Sequence, residues 1–216
     1  MFYDLDNDKT DHITSGIYSI LSFSFMFDLY QKLIGDDNLK MRFVREFVTP
    51  KPAARILDIG CGTGSILDFL PVEIEYIGYD LNWNYIQAAS KKYKNRGKFN
   101  CQRVNDLPIN DHNSFDIVLA KGILHHINDE ESKRLFEVAS CSLKPGGYLV
   151  TLDGAYIKNQ SKIAKYIISK DRGKHVRTLE EYTNLANSCF SKVETFILHD
   201  AYRIPYTILI MKCYRL

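Results

Sequence analysis

The sequence predicts a doubly wound α/β fold, a mostly parallel sheet with helices on both faces, from three observations. Short apolar runs alternate with amphipathic stretches between residues 54 and 153, the pattern of right-handed βαβ units. The first apolar run, Arg55-Ile-Leu-Asp-Ile, breaks into a turn with glycine at alternate positions, Gly60-Cys-Gly-Thr-Gly64. The chain then closes on two further runs, Val193–His199 and Tyr206–Cys213, joined by a link too short for a parallel crossover and therefore expected to pair antiparallel.

Taken in order, residues 17–27 are apolar and aromatic. Helical spacing follows at Leu29, Leu33 and Ile34, breaks at Gly35-Asp-Asp, and resumes through Met41, Val44 and Val48. Thr49-Pro-Lys-Pro52 ends this N-terminal helical extension and marks the start of the sheet. The aromatic stretch from Tyr18 to Tyr30 suits a lid over a ligand, with Tyr18 as a substrate contact, or equally a buried stripe. Strands are expected at Ala54–Asp58, Ile74–Tyr79, Phe99–Arg103, Phe115–Ala120 and Tyr148–Leu152. Helices are expected at Ser65–Phe69, Trp83–Tyr93 and Glu130–Leu143. From Gly154 to Thr178 the chain is polar and basic, with a helix over Lys162–Ser169. Another helix, Leu179–Cys189, is entered through Thr178 with Glu181 three residues on, a capping-box pattern.

Composition narrows the function. With 28 Lys and Arg against 26 Asp and Glu, the formal charge of +2 argues against a nucleic acid or an anionic membrane as obligate partner. The five cysteines are scattered and never spaced C-x-x-C, so neither a disulfide framework nor a zinc site is expected. No apolar run approaches a membrane span, and the first residues lack a basic signal region. A cytoplasmic protein acting on a small molecule is the expectation, with no metal; composition is silent on oligomeric state.

The glycine turn carries the chemistry. Glycine at such a turn lets the backbone approach a ligand closely. A dinucleotide fingerprint needs G-x-G-x-x-G, but counting from Gly60 the third glycine is replaced by Ser65. Asp58, at the strand end, would also repel a pyrophosphate. The pattern suits a ligand with positive charge, an amine and a ribose, as in S-adenosylmethionine. Asp80, closing Glu75-Tyr-Ile-Gly-Tyr-Asp80, can accept two hydrogen bonds from a ribose diol.

With these features assembled, the chain resembles the class I, Rossmann-like, S-adenosylmethionine-dependent methyltransferases, of the bacterial small-molecule type. The motifs are Ile56-Leu-Asp-Ile-Gly-Cys-Gly-Thr-Gly64, Tyr76-Ile-Gly-Tyr-Asp80, Ser114-Phe-Asp-Ile-Val-Leu119, Gly122-Ile-Leu-His-His-Ile127 and Leu143-Lys-Pro-Gly-Gly-Tyr-Leu149. The resemblance implies a seven-stranded sheet of order 3-2-1-4-5-7-6 with strand seven antiparallel. It implies one methyltransferase domain over residues 1–216, with residues 1–52 as lid or extension, residues 53–216 as core, and an insertion at about 154–178. It implies S-adenosylmethionine as cofactor and S-adenosylhomocysteine as product. Asp58 is then expected to orient the methionine amine, Gly60, Cys61, Gly62 and Gly64 to lie along the cofactor, Asp80 to bind the ribose, and Leu81 to pack on the adenine. Lys121 is expected to face the methionine with its carbonyl while its ammonium is solvated. Relatives carry an acid for the adenine amine after strand three, but here Arg103 takes that place. Adenine recognition then falls to Asn105 or Asp106, or to backbone amides near Val104.

For the acceptor, His125, His126 and Asp153 lie at the carboxyl edge of the sheet, where open α/β sheets bind ligands. A histidine there can serve as general base, or one ring can simply support the loop. The basic loop Lys170-Asp-Arg-Gly-Lys-His-Val-Arg177 offers Arg172, His175 and Arg177 to an anionic acceptor such as a phosphorylated or nucleotide-linked sugar, or is a solvated charge run. The alternatives to small-molecule methyl transfer are a nucleic-acid methyltransferase, or an enzyme that binds the same cofactor without transferring its methyl.

Overall fold

The computed structural model describes residues 35–103, 106, 113–171 and 173–216. The expected aromatic run over residues 17–27, Tyr18 within it, Val104, Asn105 and Arg172 lie outside the described residues.

Among the described residues eight strands form one sheet: β1 Arg55–Ile59, β2 Glu75–Asp80, β3 Lys98–Cys101, β4 Phe115–Lys121, β5 Leu143–Tyr156, β6 Arg177–Thr178, β7 Lys192–Leu198 and β8 Ile208–Tyr214. Their order is β3-β2-β1-β4-β5-β8-β7, with the two-residue β6 added beside the end of β5. Without β6 this is the expected 3-2-1-4-5-7-6. The pairings from β3 across to β5 are parallel. The closing hairpin is antiparallel, β8 against both β5 and β7. The parallel strands run together, so Asp58, Asp80, Lys121 and Asp153 reach the same carboxyl edge.

The helices are α1 Asp36–Phe43, α2 Trp83–Tyr93, α3 Asp129–Ser142, α4 Lys162–Ser169 and α5 Leu179–Asn187. Asn82 caps α2, its side-chain oxygen accepting from the backbone of Asn84 at 3.0 Å. Capping boxes start α3 (Asn128 with Glu131) and α5 (Thr178 with Glu181). Because both sheet faces are covered, successive strand residues enter opposite cores. Ile56, Ile117 and Val150 join one, with Leu39, Phe43 and Val48 from the N-terminal side. Leu57, Val118 and Leu149 join the other, with Leu135, Phe136 and Tyr182.

Three expectations are corrected. The helix after the glycine turn is only a 3-10 turn, Ser65–Asp68, so it presents no long helix dipole to a ligand. At Gly35-Asp-Asp, α1 begins directly after Gly35, at φ 90°, so both aspartates belong to its first turn, while the residues ahead of Gly35 lie outside the described ones. Of Met41, Val44 and Val48 only Met41 departs from the expectation, being half exposed; Val44 and Val48 are buried with Leu39, Phe43 and Phe47. Strand β5 is also longer than expected, because its second half is held by β8 on one side and by β6 at its end.

Candidate active site

The glycine turn is pinned to β2: the Tyr79 carbonyl accepts from the backbone of Gly60 at 2.7 Å and of Cys61 at 2.9 Å. Gly60 has φ 78°, and a Cβ there would lie 2.8 Å from Cδ1 of Ile123. Gly62 has φ 55° with nothing within 4 Å of where its Cβ would be, so its open side can take a ligand. Gly64 differs, since a Cβ on it would strike the Phe99 ring at 2.8 Å; its need for glycine comes from packing against the protein itself. Cys61 turns its thiol inward against Gly78, and burial raises that thiol's pKa well above normal. Only its backbone belongs to the turn's ligand side.

Asp80 bridges the turn and the start of α2, accepting from the Gly62 backbone and from the Asn82 backbone, each at 2.8 Å. These bonds fix the carboxylate at the strand end, where Leu81 beside it is half exposed. Asp58 is buried, and Tyr76 donates its hydroxyl to Oδ2 at 2.5 Å. Its other oxygen, Oδ1, is buried with no hydrogen-bond partner among the described residues. Burial pushes the Asp58 carboxyl up to about 6, against the opposing pull of the Tyr76 hydrogen bond and the Lys121 charge. An unpartnered buried carboxylate oxygen has a strong demand for a donor, and an ammonium meets it.

Lys121 modifies its expectation. Its ammonium faces Oδ1 of Asp36 at 3.7 Å while its side chain stays 20% exposed, and Asp36, 1 % exposed on α1, also pairs with Lys40 at 2.7 Å. Burial alone would raise the Asp36 pKa, but the two ammoniums outweigh it and hold the carboxyl below its usual range. A carboxylate buried so deeply requires such partners. The chain ahead of the sheet is thereby tied to the end of β4.

On the acceptor side His125, His126 and Asp153 come together. His125 is buried, its Nδ1 2.7 Å from Oδ1 of Asp153, and its backbone N–H donates to the same oxygen. Its Nε2 lies 3.6 Å from Oδ1 of Asp171. Burial would lower the imidazole pKa, but Asp153 and Asp171 outweigh it and raise it. Both ring nitrogens of His125 thus face carboxylates. His126 is half-buried beside it, the ring centroids 4.0 Å apart. Asp171 is held in turn by the Gly173 backbone at 2.9 Å and the Tyr206 hydroxyl at 2.8 Å. Gly173 packs so closely that a Cβ would lie 2.3 Å from Cδ2 of His125.

Arg177 is the second correction. Its guanidinium donates to the carbonyls of Leu124, Ile127 and His175 at 2.8–3.0 Å and pairs with Asp129. The fork expected to grip an acceptor anion instead clamps the basic loop to the turn after β4. His175 takes part through its backbone, donating to the His125 carbonyl at 3.0 Å. The residues missed by sequence reasoning are Tyr76, Asp171 and Tyr206. Asp171 and Tyr206 stood in visible motifs, Asp171-Arg-Gly and Pro205-Tyr-Thr207, but nothing in local spacing says that they meet.

Comparison with known proteins agrees with this geometry. Residues 57–151 match the family model described as a methyltransferase domain. The chain is 30% identical over 207 residues to phosphoethanolamine N-methyltransferase 2 of Caenorhabditis elegans, covering 87% of this chain and 43% of that protein. It is 32% identical over 133 residues to the ubiquinone/menaquinone biosynthesis C-methyltransferase of Desulfotalea psychrophila, covering 59% of this chain and 53% of that one. Among solved structures, Haemonchus contortus phosphoethanolamine N-methyltransferase 2, in complex with phosphomonomethylethanolamine and S-adenosylhomocysteine, shares the fold. Its TM-score is 0.71 at 18% identity, over 91% of this chain and 58% of that one. Residues 57–151 are thus a methyltransferase domain, and the fold is that of the class I, Rossmann-like, S-adenosylmethionine-dependent methyltransferases. It spans less than half the length of the Caenorhabditis elegans phosphoethanolamine relative.

Proposed function

We propose that this chain transfers the methyl group of S-adenosylmethionine to a small phosphorylated acceptor, with phosphoethanolamine and its methylated forms as the leading class. The observation that carries the cofactor half is Oδ1 of Asp58, buried and without a hydrogen-bond partner among the described residues, beside a turn that Gly62 leaves open. The residues present fit the cofactor. Asp58 takes the amine, the backbone of Gly60, Cys61 and Gly62 lies along the ligand, Asp80 accepts from the ribose, and Leu81 offers apolar surface to the adenine. Val104 and Asn105 are assigned to the adenine by position in sequence, and Lys121 to the methionine by its backbone.

When bound, the cofactor supplies a methyl group on a sulfonium, already attached to a good leaving group. The protein then has to hold the acceptor nucleophile in line and keep water out, and proximity alone accounts for much of such a rate. His125 and Asp153 form the fixed wall of the acceptor side, and His126 is the ring an acceptor reaches, placed to take its proton. Tyr18, Arg172 and His175 remain proposed acceptor contacts. The phosphate is supported by the phosphoethanolamine N-methyltransferase of Caenorhabditis elegans, whose similarity extends over 87% of this chain.

The test is methyl transfer from radiolabelled S-adenosylmethionine to phosphoethanolamine, phosphomonomethylethanolamine and unphosphorylated ethanolamine, side by side. Transfer confined to the phosphorylated compounds supports the reading. Transfer to ethanolamine alone, or to none of the three while a cell extract supplies a labelled acceptor lacking phosphate, overturns the acceptor class.

A further inference from the structure

His125, His126 and Asp171 each offer one donor atom, and these three atoms all lie within 4.8 Å of one another. We propose that they form a binding site for one divalent first-row transition ion at the acceptor edge of the sheet. Two imidazoles and one carboxylate are a donor set suited to such ions. The separation of Nε2 of His125 from Oδ1 of Asp171, 3.6 Å, is long for a hydrogen bond. It is close to the spacing of two ligands on one ion, about 3–3.5 Å for bonds of about 2.1 Å.

The surroundings are those of a prepared site. A metal-bound histidine usually donates its other ring N–H to a carboxylate, which fixes the tautomer and the ring. Asp153 stands in that position, 2.7 Å from Nδ1 of His125. The Asp171 carboxylate is oriented independently, by the Gly173 backbone and by the Tyr206 hydroxyl. His125 is nearly closed to solvent while Asp171 is 24% exposed in its side chain, so an ion enters from the Asp171 side and leaves positions open toward the acceptor. The third donor, on His126, comes within bonding range by rotation of a half-buried ring.

This site also answers a charge problem, and that part rests on the phosphorylated acceptor proposed above. Arg177 is committed to Asp129 and three carbonyls, while Asp153 and Asp171 make the edge acidic. A bound cation supplies positive charge where a phosphate would otherwise meet carboxylates. With the ion in place His126 acts as a ligand, the ion holds the phosphate and not the attacking atom, and the acceptor's proton leaves to solvent water.

The experiment uses the full chain, untagged and freed of metal by a chelator, titrated with Co2+ and followed by visible absorption, then with Mn2+ and Zn2+ by calorimetry. One ion per chain is expected, with a Kd below about 10 µM. Asp171→Asn and His126→Ala should each weaken it at least about tenfold, and Asp153→Asn about 10–100-fold through the His125 ring, with circular dichroism melts reporting folding. Should Asp153→Asn fail to fold, the more exposed Asp171→Asn reads the same site. No saturable Co2+ spectrum at about 100 µM, or variants that bind like wild type, overturns the proposal. Labelled methyl transfer in excess chelator separates the two readings. Undiminished transfer by a chain that binds no ion removes the metal and leaves methyl transfer standing. A bound ion with no transfer to any phosphorylated acceptor keeps the site and removes that acceptor.

Discussion

Asp58 carries an unusual burden for a single carboxylate: one oxygen is bonded to Tyr76, the other is buried without a hydrogen-bond partner among the described residues, and the pKa is raised to about 6. An acid with a raised folded pKa favours the fold when protonated. That contribution is complete below its ordinary value near 3.8 and is lost as pH rises through about 6. A ligand ammonium reverses the preference, because it needs the ionised form. S-adenosylhomocysteine affinity should therefore rise about tenfold per pH unit from about pH 4 to about pH 6 and then level off. Asp58→Asn should flatten this dependence and weaken binding at pH 7.5 by about 1–3 kcal/mol. Calorimetry across the pH range measures both, and a flat wild-type profile would contradict the role of Asp58. His125 follows the same sign, because a raised folded pKa favours the protonated form, which for an imidazole is the charged one. Its raised pKa means that its charge stabilises the fold fully below about 6.5 and ceases to do so as pH rises through the folded value. Asp153→Asn should bring the His125 pKa, read by NMR, below 6.5 and cost about 3–5 kcal/mol of stability by leaving a buried group unpaired. A pKa that stays raised in this variant would place the proton's partner elsewhere.

Among the elements, the loop from Asp171 into β6 differs most from its sequence reading. As a run of charges it looks like an exposed anion grip, yet Arg177 is buried and bonded to carbonyls of the turn after β4. Arg177→Ala removes a donor from each of those carbonyls and should destabilise the protein by about 2–4 kcal/mol, seen as a lower Tm, with S-adenosylhomocysteine affinity preserved in the folded fraction. An unchanged Tm with loss of acceptor turnover would restore the grip. Gly173→Ala forces a Cβ against His125, so it should lower Tm and methyl transfer together, whereas Gly146→Ala, with open space around it, should cost stability only through its positive φ, about 1 kcal/mol. Elements set by local chemistry were legible in the sequence. Helix α2 starts where its spacing indicates because Asn82 caps it, and α5 starts at its capping box. The helix after Gly64 was not legible: Ser65–Asp68 forms only a 3-10 turn.

At the scale of the whole molecule, alternation of apolar runs and one short terminal link were enough to read a mostly parallel sheet closed by an antiparallel hairpin, and the strand order 3-2-1-4-5-7-6 followed from the family resemblance. The contacts that cross the sheet edge were not legible. Asp36 meets Lys121, and Asp171 meets His125 and Tyr206, only because α1 and the loop after α4 fold back over the carboxyl ends of β4 and β5. No spacing rule within the chain encodes such meetings. Among the described residues no helix is long and apolar enough to cross a membrane. The central claim is that the edge formed by Asp58, the Gly60–Gly64 turn and Asp80 holds S-adenosylmethionine. Calorimetric titration of the full chain and of Asp80→Ala with S-adenosylhomocysteine and with NAD tests it most directly. One molecule of S-adenosylhomocysteine should bind per wild-type chain, about 1–3 kcal/mol more weakly to Asp80→Ala, with NAD far weaker than either. Tighter binding of NAD, or an affinity for S-adenosylhomocysteine that Asp80→Ala leaves unchanged, would contradict it.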